Sequence, residues 1–173
     1  MTDLRSAPLP GPSGEDHVRG PADAPLVLVY ADFECPYCAV AARQLEGAPL
    51  RLVFRHFPVR TSHPRAWAAA GAAEAAGLQG RFWEMHDLLF ADQGRLEDPH
   101  LWARARTLNL DLERFDADRR GEVVLARIRR DFESGVKGGI VTTPTVIAGG
   151  VRHAGRIDAQ VLDALKAPSS GRR

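Results

Sequence analysis

The chain has 173 residues, 23 of them basic and 22 acidic, for a formal net charge of +1. That length suits one domain, or one domain with an insertion, and buries a substantial core. Charge this balanced, with no basic block, speaks against nucleic-acid and membrane-surface partners. The 45% hydrophobic and 26% charged content is that of a soluble globular protein. No apolar stretch approaches the length of a membrane span. Lysine occurs only at Lys137 and Lys166, the other basic residues being arginine. With the abundant Ala, Gly and Pro, this reads as coding bias before function.

Met1 to Gly14 carries Pro8, Pro10, Gly11, Pro12, Ser13 and Gly14. It lacks the basic n-region and apolar h-region of a secretory signal. Residues 1–16 therefore read as a flexible tail, and with Met1 as the native start the expected location is cytoplasmic. Gly20 to Pro25 forms a turn. Leu26-Val27-Leu28-Val29-Tyr30 is an apolar, β-branched run that predicts a strand buried on both faces.

Cys35-Pro36-Tyr37-Cys38 follows, and these are the only cysteines of the chain. Pro36 suits the first helical position, where its missing N–H costs nothing. The pattern predicts Cys35 at the N-cap of a helix running to about Glu46 and ended by Gly47. Unpaired backbone N–H groups and the positive end of the helix dipole then favour the Cys35 thiolate. The thiolate is the nucleophile, so Cys35 is the attacking residue. Cys38, one turn further in and less exposed, is the resolving one. Two other readings of the pair are weaker. A structural zinc site wants four ligands, and His56, His63, His86 and His153 lack ligand-like spacing. A structural disulfide within one helical turn is a poor staple. In a cytosolic chain, a Cys-x-x-Cys pair beside a βαβ pattern points to catalysis over structure. No metal and no cofactor are expected.

Residues 50–57 alternate well enough for a second strand stopped by Pro58. A strand, helix and strand in this order make a right-handed crossover and a parallel pair. That arrangement puts the cysteines at the C-terminal edge of the first strand, where ligands approach open α/β sheets. From Ser62 to Gly135 the pattern is helical. Ala66, Ala69, Ala70, Ala73 and Ala76 give a small-residue face, and Phe82, Met85, His86, Leu89 and Phe90 give the next apolar face. Asp98-Pro99 reads as an N-cap followed by proline at N1. Asp111 reads as the cap of a short helix carrying Leu112 and Phe115, and Val124, Ile128 and Phe132 line another. Trp67, Trp83, Trp102 and Met85 read as core, and His86 as a buried, hydrogen-bonded histidine. Thr145 to Ala148, Gly149-Gly150 and Val151 to His153 predict a hairpin, because Gly-Gly supplies the positive φ of a two-residue turn. Asp158 is the expected cap of the last helix, with Val161, Leu162 and Leu165 facing inward.

Taken together, Cys-Pro-Tyr-Cys after a buried strand, a helical insertion and Thr142-Thr143-Pro144-Thr145 before a hairpin resemble the DsbA-like thioredoxin-fold proteins. The phrases Ala31-Asp32-Phe33-Glu34-Cys35, Arg55-His56-Phe57-Pro58 and Phe82-Trp83-Glu84-Met85-His86-Asp87 carry the same resemblance, which spans about Asp16 to Lys166. It implies an α/β thioredoxin fold with an inserted all-helical subdomain. Residues 17–60 and 137–167 would form a discontinuous thioredoxin-like domain, 61–136 the insertion and 168–173 a C-terminal tail. It further implies a cis Thr143–Pro144 bond facing the cysteines, with Thr143 and Pro144 guiding an extended substrate segment.

Two features depart from the family. Many members carry a buried Glu or Asp six residues before the first cysteine, serving proton transfer at the second thiol. Here that position is Val29, which leaves water, Asp32 or nothing to serve. The dipeptide Pro36-Tyr37 is the glutaredoxin-like pair. A neutral Tyr37 does not stabilise a thiolate as a cationic histidine would, and Asp32 and Glu34 nearby oppose it. The expected potential is therefore nearest the glutaredoxin range of about −200 to −230 mV.

The implied function is thiol–disulfide exchange with protein or small-molecule thiols, by a monomer. One alternative is glutaredoxin-like deglutathionylation, with glutathione as partner. Another is a redox-sensing binding or chaperone module.

Overall fold

The computed structural model describes residues 7–167. In chain order the elements are β1 (His17–Arg19), β2 (Leu26–Ala31), α1 (Pro36–Glu46), β3 (Arg51–His56), α2 (Ala66–Gly77), α3 (Phe82–Ala91), α4 (Asp98–Thr107), α5 (Leu112–Asp118), α6 (Glu122–Lys137), β4 (Thr145–Ala148), β5 (Val151–Ala154) and α7 (Ala159–Lys166). The strands form one sheet in the order β1-β3-β2-β4-β5. Strands β2 and β3 pair in parallel across the α1 crossover, and the other neighbours are antiparallel.

The apolar run of β2 explains its central place, because both of its faces are covered. Val27, Val29 and Ala31 enter the larger core with α1 and the helices of the insertion. Leu28 and Tyr30 enter a second core with Val53, Phe57 and Ile140. Period-two alternation sends successive side chains to opposite faces. On the second face, α6 comes close because Gly135 has no side chain. A Cβ there would sit 2.7 Å from the Phe57 ring.

One strand adds to the sequence expectations, and two of them need correction. Strand β1 was not expected; three residues between Asp16 and Gly20 are too few to show a period. Residues 7–16 of the expected tail are held to the body. Buried Arg55 reaches from the middle of β3 to the Asp16 carboxylate at 3.1 and 3.0 Å and donates to the Pro10 and Gly11 carbonyls, each at 2.8 Å. The Ala7 amide also donates to the Lys137 carbonyl at 3.0 Å. The remainder of that tail, 1–6, and the C-terminal 168–173 lie outside the described residues. Finally, α4 starts one residue early, with Glu97 as N-cap, because the Asp98 carboxylate is taken by Arg119 and Arg120.

One core cluster runs from the sheet through α2, α3, α4 and α5. Helix α2 is buried nearly all round, not on one face. Its alanines let α3, α5 and α6 pack close on several sides. Asp111 and Asp158 cap α5 and α7 as expected, accepting from the amides three residues on. The Gly149-Gly150 turn has φ of 55° and 80°, the conformation a two-residue hairpin turn demands.

Candidate active site

Strand β2 ends at Ala31, and four residues later Cys35 caps α1 with extended φ and ψ and with Pro36 in the first turn. Both cysteines are free thiols and both are buried, Cys35 to 3% exposure and Cys38 to 1%. The first is therefore far less open than a surface nucleophile, while its neighbours Pro36 and Tyr37 are exposed. Opposite them stands the loop before β4. The Thr143–Pro144 bond is cis, and the Cys35 sulfur lies 3.4 Å from the Thr143 carbonyl oxygen, which accepts from it only while the thiol is protonated. The sequence-predicted Cys35, Cys38, Pro36, Tyr37, Thr143 and Pro144 thus converge on one edge of the sheet.

The two thiols meet opposite fates. Cys35 is lowered to about 6, chiefly by the hydrogen bond that the Cys38 thiol gives it. Burial opposes this, and the Thr143 side chain and the Cys38 and Tyr37 amides at the helix tip add to it. Cys38 is pushed well above the usual thiol range, first by burial and then because its proton is engaged with Cys35. At neutral pH the pair therefore presents a thiolate at Cys35 backed by a protonated Cys38.

The acids expected to oppose that thiolate are drawn away from it. The Asp32 carboxylate is fully buried. One oxygen accepts from the Glu34 amide at 2.8 Å, and the other accepts from the Val59 amide and His63 Nδ1, also at 2.8 Å. None of these partners is Cys38, to whose sulfur only the Asp32 backbone amide points, at 3.5 Å. Glu34 is held by Arg65 through its backbone amide and its guanidinium, at 2.7 and 2.8 Å.

The structure adds residues that the sequence pattern did not single out. The Gln93 amide donates to the carbonyls of Phe33 and Cys35 at 2.7 and 2.8 Å, tying the turn before α1 to the end of α3. His63 and Arg65 anchor the two acids. No spacing rule marks these three, because each acts across more than 25 residues of chain. Among the described residues no cluster of His, Cys, Asp or Glu is arranged to hold a metal ion.

Residues 12–166 match the thioredoxin family model. The chain belongs to the thioredoxin family. Within it the neighbours in structure are DsbA-like thiol–disulfide oxidoreductases. A thioredoxin-like oxidoreductase from Silicibacter pomeroyi DSS-3 superposes with a TM-score of 0.79 at 26% identity, covering 88% of this chain and 91% of that one. The thiol-disulfide exchange protein alpha-DsbA2 from Wolbachia pipientis shares the fold, with a TM-score of 0.75 at 17% identity over 85% and 83% of the two chains. In sequence, this thioredoxin-family chain is 48% identical over 158 residues to the Na(+)/H(+) antiporter NhaA 1 of Salinispora arenicola, covering 86% of this chain and 24% of the antiporter. It is 45% identical over 166 residues to the NhaA antiporter of Herminiimonas arsenicoxydans, covering 91% and 26%. The chain spans about a quarter of the length of the curated relatives it matches. Among the described residues, no helix is long and apolar enough to cross a membrane.

Proposed function

We propose that the protein exchanges disulfides with protein or small-molecule thiols through Cys35 and Cys38. The observation that carries this reading is the partition of the pair, a Cys35 thiol lowered to about 6 beside a Cys38 thiol raised well above its ordinary value. In the reductive direction the Cys35 thiolate attacks a substrate disulfide. A Cys35–substrate bond forms and the first substrate sulfur leaves with the electron pair. Cys38 then gives up its proton and attacks Cys35. The Cys35–Cys38 bond forms, the second substrate sulfur leaves, and two electrons have passed from the protein to the substrate.

Thr143 borders the attacking Cys35 sulfur, and an extended substrate segment would lie along the Thr143–Pro144 loop as an added strand. Ion transport forms no part of the proposal, since the region shared with the antiporters is one quarter of their length.

Turnover of insulin disulfides tests the reading. The wild-type chain is expected to reduce them, Cys35→Ser to abolish turnover, and Cys38→Ser to stall at a mixed disulfide. Turnover that persists in Cys35→Ser would refute exchange and favour a binding or chaperone module. Activity of Cys38→Ser on glutathione mixed disulfides would shift the assignment to deglutathionylation.

A further inference from the structure

Beside Cys38 lies a small, partly open cavity of about 20 Å³, room for a single water molecule. Val29, Phe54 and Pro144 contribute apolar walls, and Cys38, His86 and Arg19 are among its other lining residues. Val29, beside Cys38 in the lining of this cavity, carries no titratable group, and the Asp32 carboxylate is committed to Glu34, Val59 and His63.

His86 is 5% exposed, yet it sits within a connected polar chain. Its Nδ1 bonds the Asp87 carboxylate at 2.8 Å, and Arg19 grips the same carboxylate at 2.7 and 3.0 Å. A carboxylate only accepts, so the proton of the neutral ring sits on Nδ1 and Nε2 carries the lone pair. Nε2 has no hydrogen-bond partner among the described residues. The ring is packed among Phe54, Trp83 and Phe90, with centroids 5.0, 5.0 and 4.9 Å away.

We infer that His86, oriented by Asp87, takes the proton of Cys38 through one water in this cavity when Cys38 closes on the mixed disulfide. The inference rests on the exchange reading of the cysteine pair. The Cys38 S–H bond breaks and its proton passes by way of the water to His86 Nε2. The freed sulfur forms the bond to Cys35, and the substrate sulfur departs with the electron pair of the broken bond. The imidazolium is paired with Asp87, whose side chain is 41% exposed, and returns its proton to solvent on that side. Burial holds His86 below the ordinary histidine range, so the ring is neutral and ready to accept at pH 7. The charged and titratable groups facing it are Asp87 on its own helix, Arg19 from β1, His56 from β3 and Cys38 from α1.

The test is the reaction of the reduced protein with 5,5′-dithiobis(2-nitrobenzoate), which releases two thionitrobenzoate ions. The first reports attack by Cys35, and the second reports closure by Cys38. For His86→Gln we expect a first phase within twofold of wild type and a second phase slowed at least about tenfold at pH 7, in keeping with general-base effects. The histidine-dependent limb of the second-phase pH profile is expected to vanish with it. Asp87→Asn, at a partly exposed position, gives the same selective slowing with less risk to folding. A second phase of unchanged rate and pH profile in Asp87→Asn and in folded His86→Gln would overturn the inference. A wild-type protein with no fast first phase would instead overturn the exchange reading beneath it.

Discussion

Replacing Cys38 with alanine removes the donor that contributes most to the acidity of Cys35. A hydrogen bond to a charged group is worth roughly 1.5–3 kcal/mol, and about 1.4 kcal/mol corresponds to one pH unit. The Cys35 midpoint, about 6 in the wild type, should therefore rise by about one to two pH units in Cys38→Ala. Thiolate nucleophilicity falls with falling pKa, with a Brønsted slope of about 0.4–0.5, so the two rate profiles must cross. Near pH 5 the variant should alkylate with iodoacetamide roughly 3- to 12-fold more slowly than wild type, and above pH 9 roughly 3- to 8-fold faster. Cys38→Ser retains a donor and should move the midpoint less than half as far. The assay is alkylation rate against pH, with the Cys35 adduct identified by mass. Profiles of Cys38→Ala and wild type that coincide, or a serine variant that moves as far as the alanine variant, would refute the argument.

Because the folded Cys35 thiol titrates at about 6 and an unfolded thiol at about 8.5, the unfolded dithiol chain binds more protons across that window. The dithiol form should then gain stability as pH rises from about 6 to 8.5, by at most about 3 kcal/mol; the disulfide form should not. Urea melts of both forms at several pH values check this, and parallel pH dependences would sink it. A redox titration against glutathione should place the pair between the thioredoxin and DsbA extremes, nearer about −200 to −230 mV, and a value at or above about −130 mV would contradict the reasoning. Asp32→Ala orphans the Glu34 and Val59 amides and His63 Nδ1 and should cost about 2–4 kcal/mol in urea melts. Gln93→Ala leaves the Cys35 carbonyl its helical partners but strips the Phe33 carbonyl, so about 1–2 kcal/mol is expected. A loss as large as that of Asp32→Ala would contradict this accounting.

The features legible in the sequence were those written in local order. The β2 run, Pro36 after Cys35, the Gly149-Gly150 turn and the Asp111 and Asp158 caps each act within a few residues, so pattern and structure agree. Those that were missed depend on distant chain. Strand β1 exists because His17 to Arg19 find the free edge of β3, and the segment before it is pinned by Arg55, a charged residue inside a strand whose partners lie about 40 residues earlier. Proximity in sequence sets Asp32 and Glu34 against the Cys35 thiolate. Their charges are instead turned aside by His63 and Arg65, beyond the reach of any local rule.

The acidity of Cys35 and the reluctance of Cys38 are one interaction seen from two sides. The shared proton that steadies the thiolate at the helix tip also holds the second sulfur in its unreactive form, so the two titrations belong to the pair. A stronger bond between the sulfurs speeds the first half of the cycle in acid and slows the second. The fold separates the two demands in space. The Cys38 and Tyr37 amides act on Cys35 at the helix tip and Thr143 acts on both sulfurs, whereas burial weighs most on Cys38, which lines a cavity with Val29, His86 and Arg19. Substitutions at the helix tip should therefore move attack with little effect on closure, and substitutions around the cavity should do the reverse.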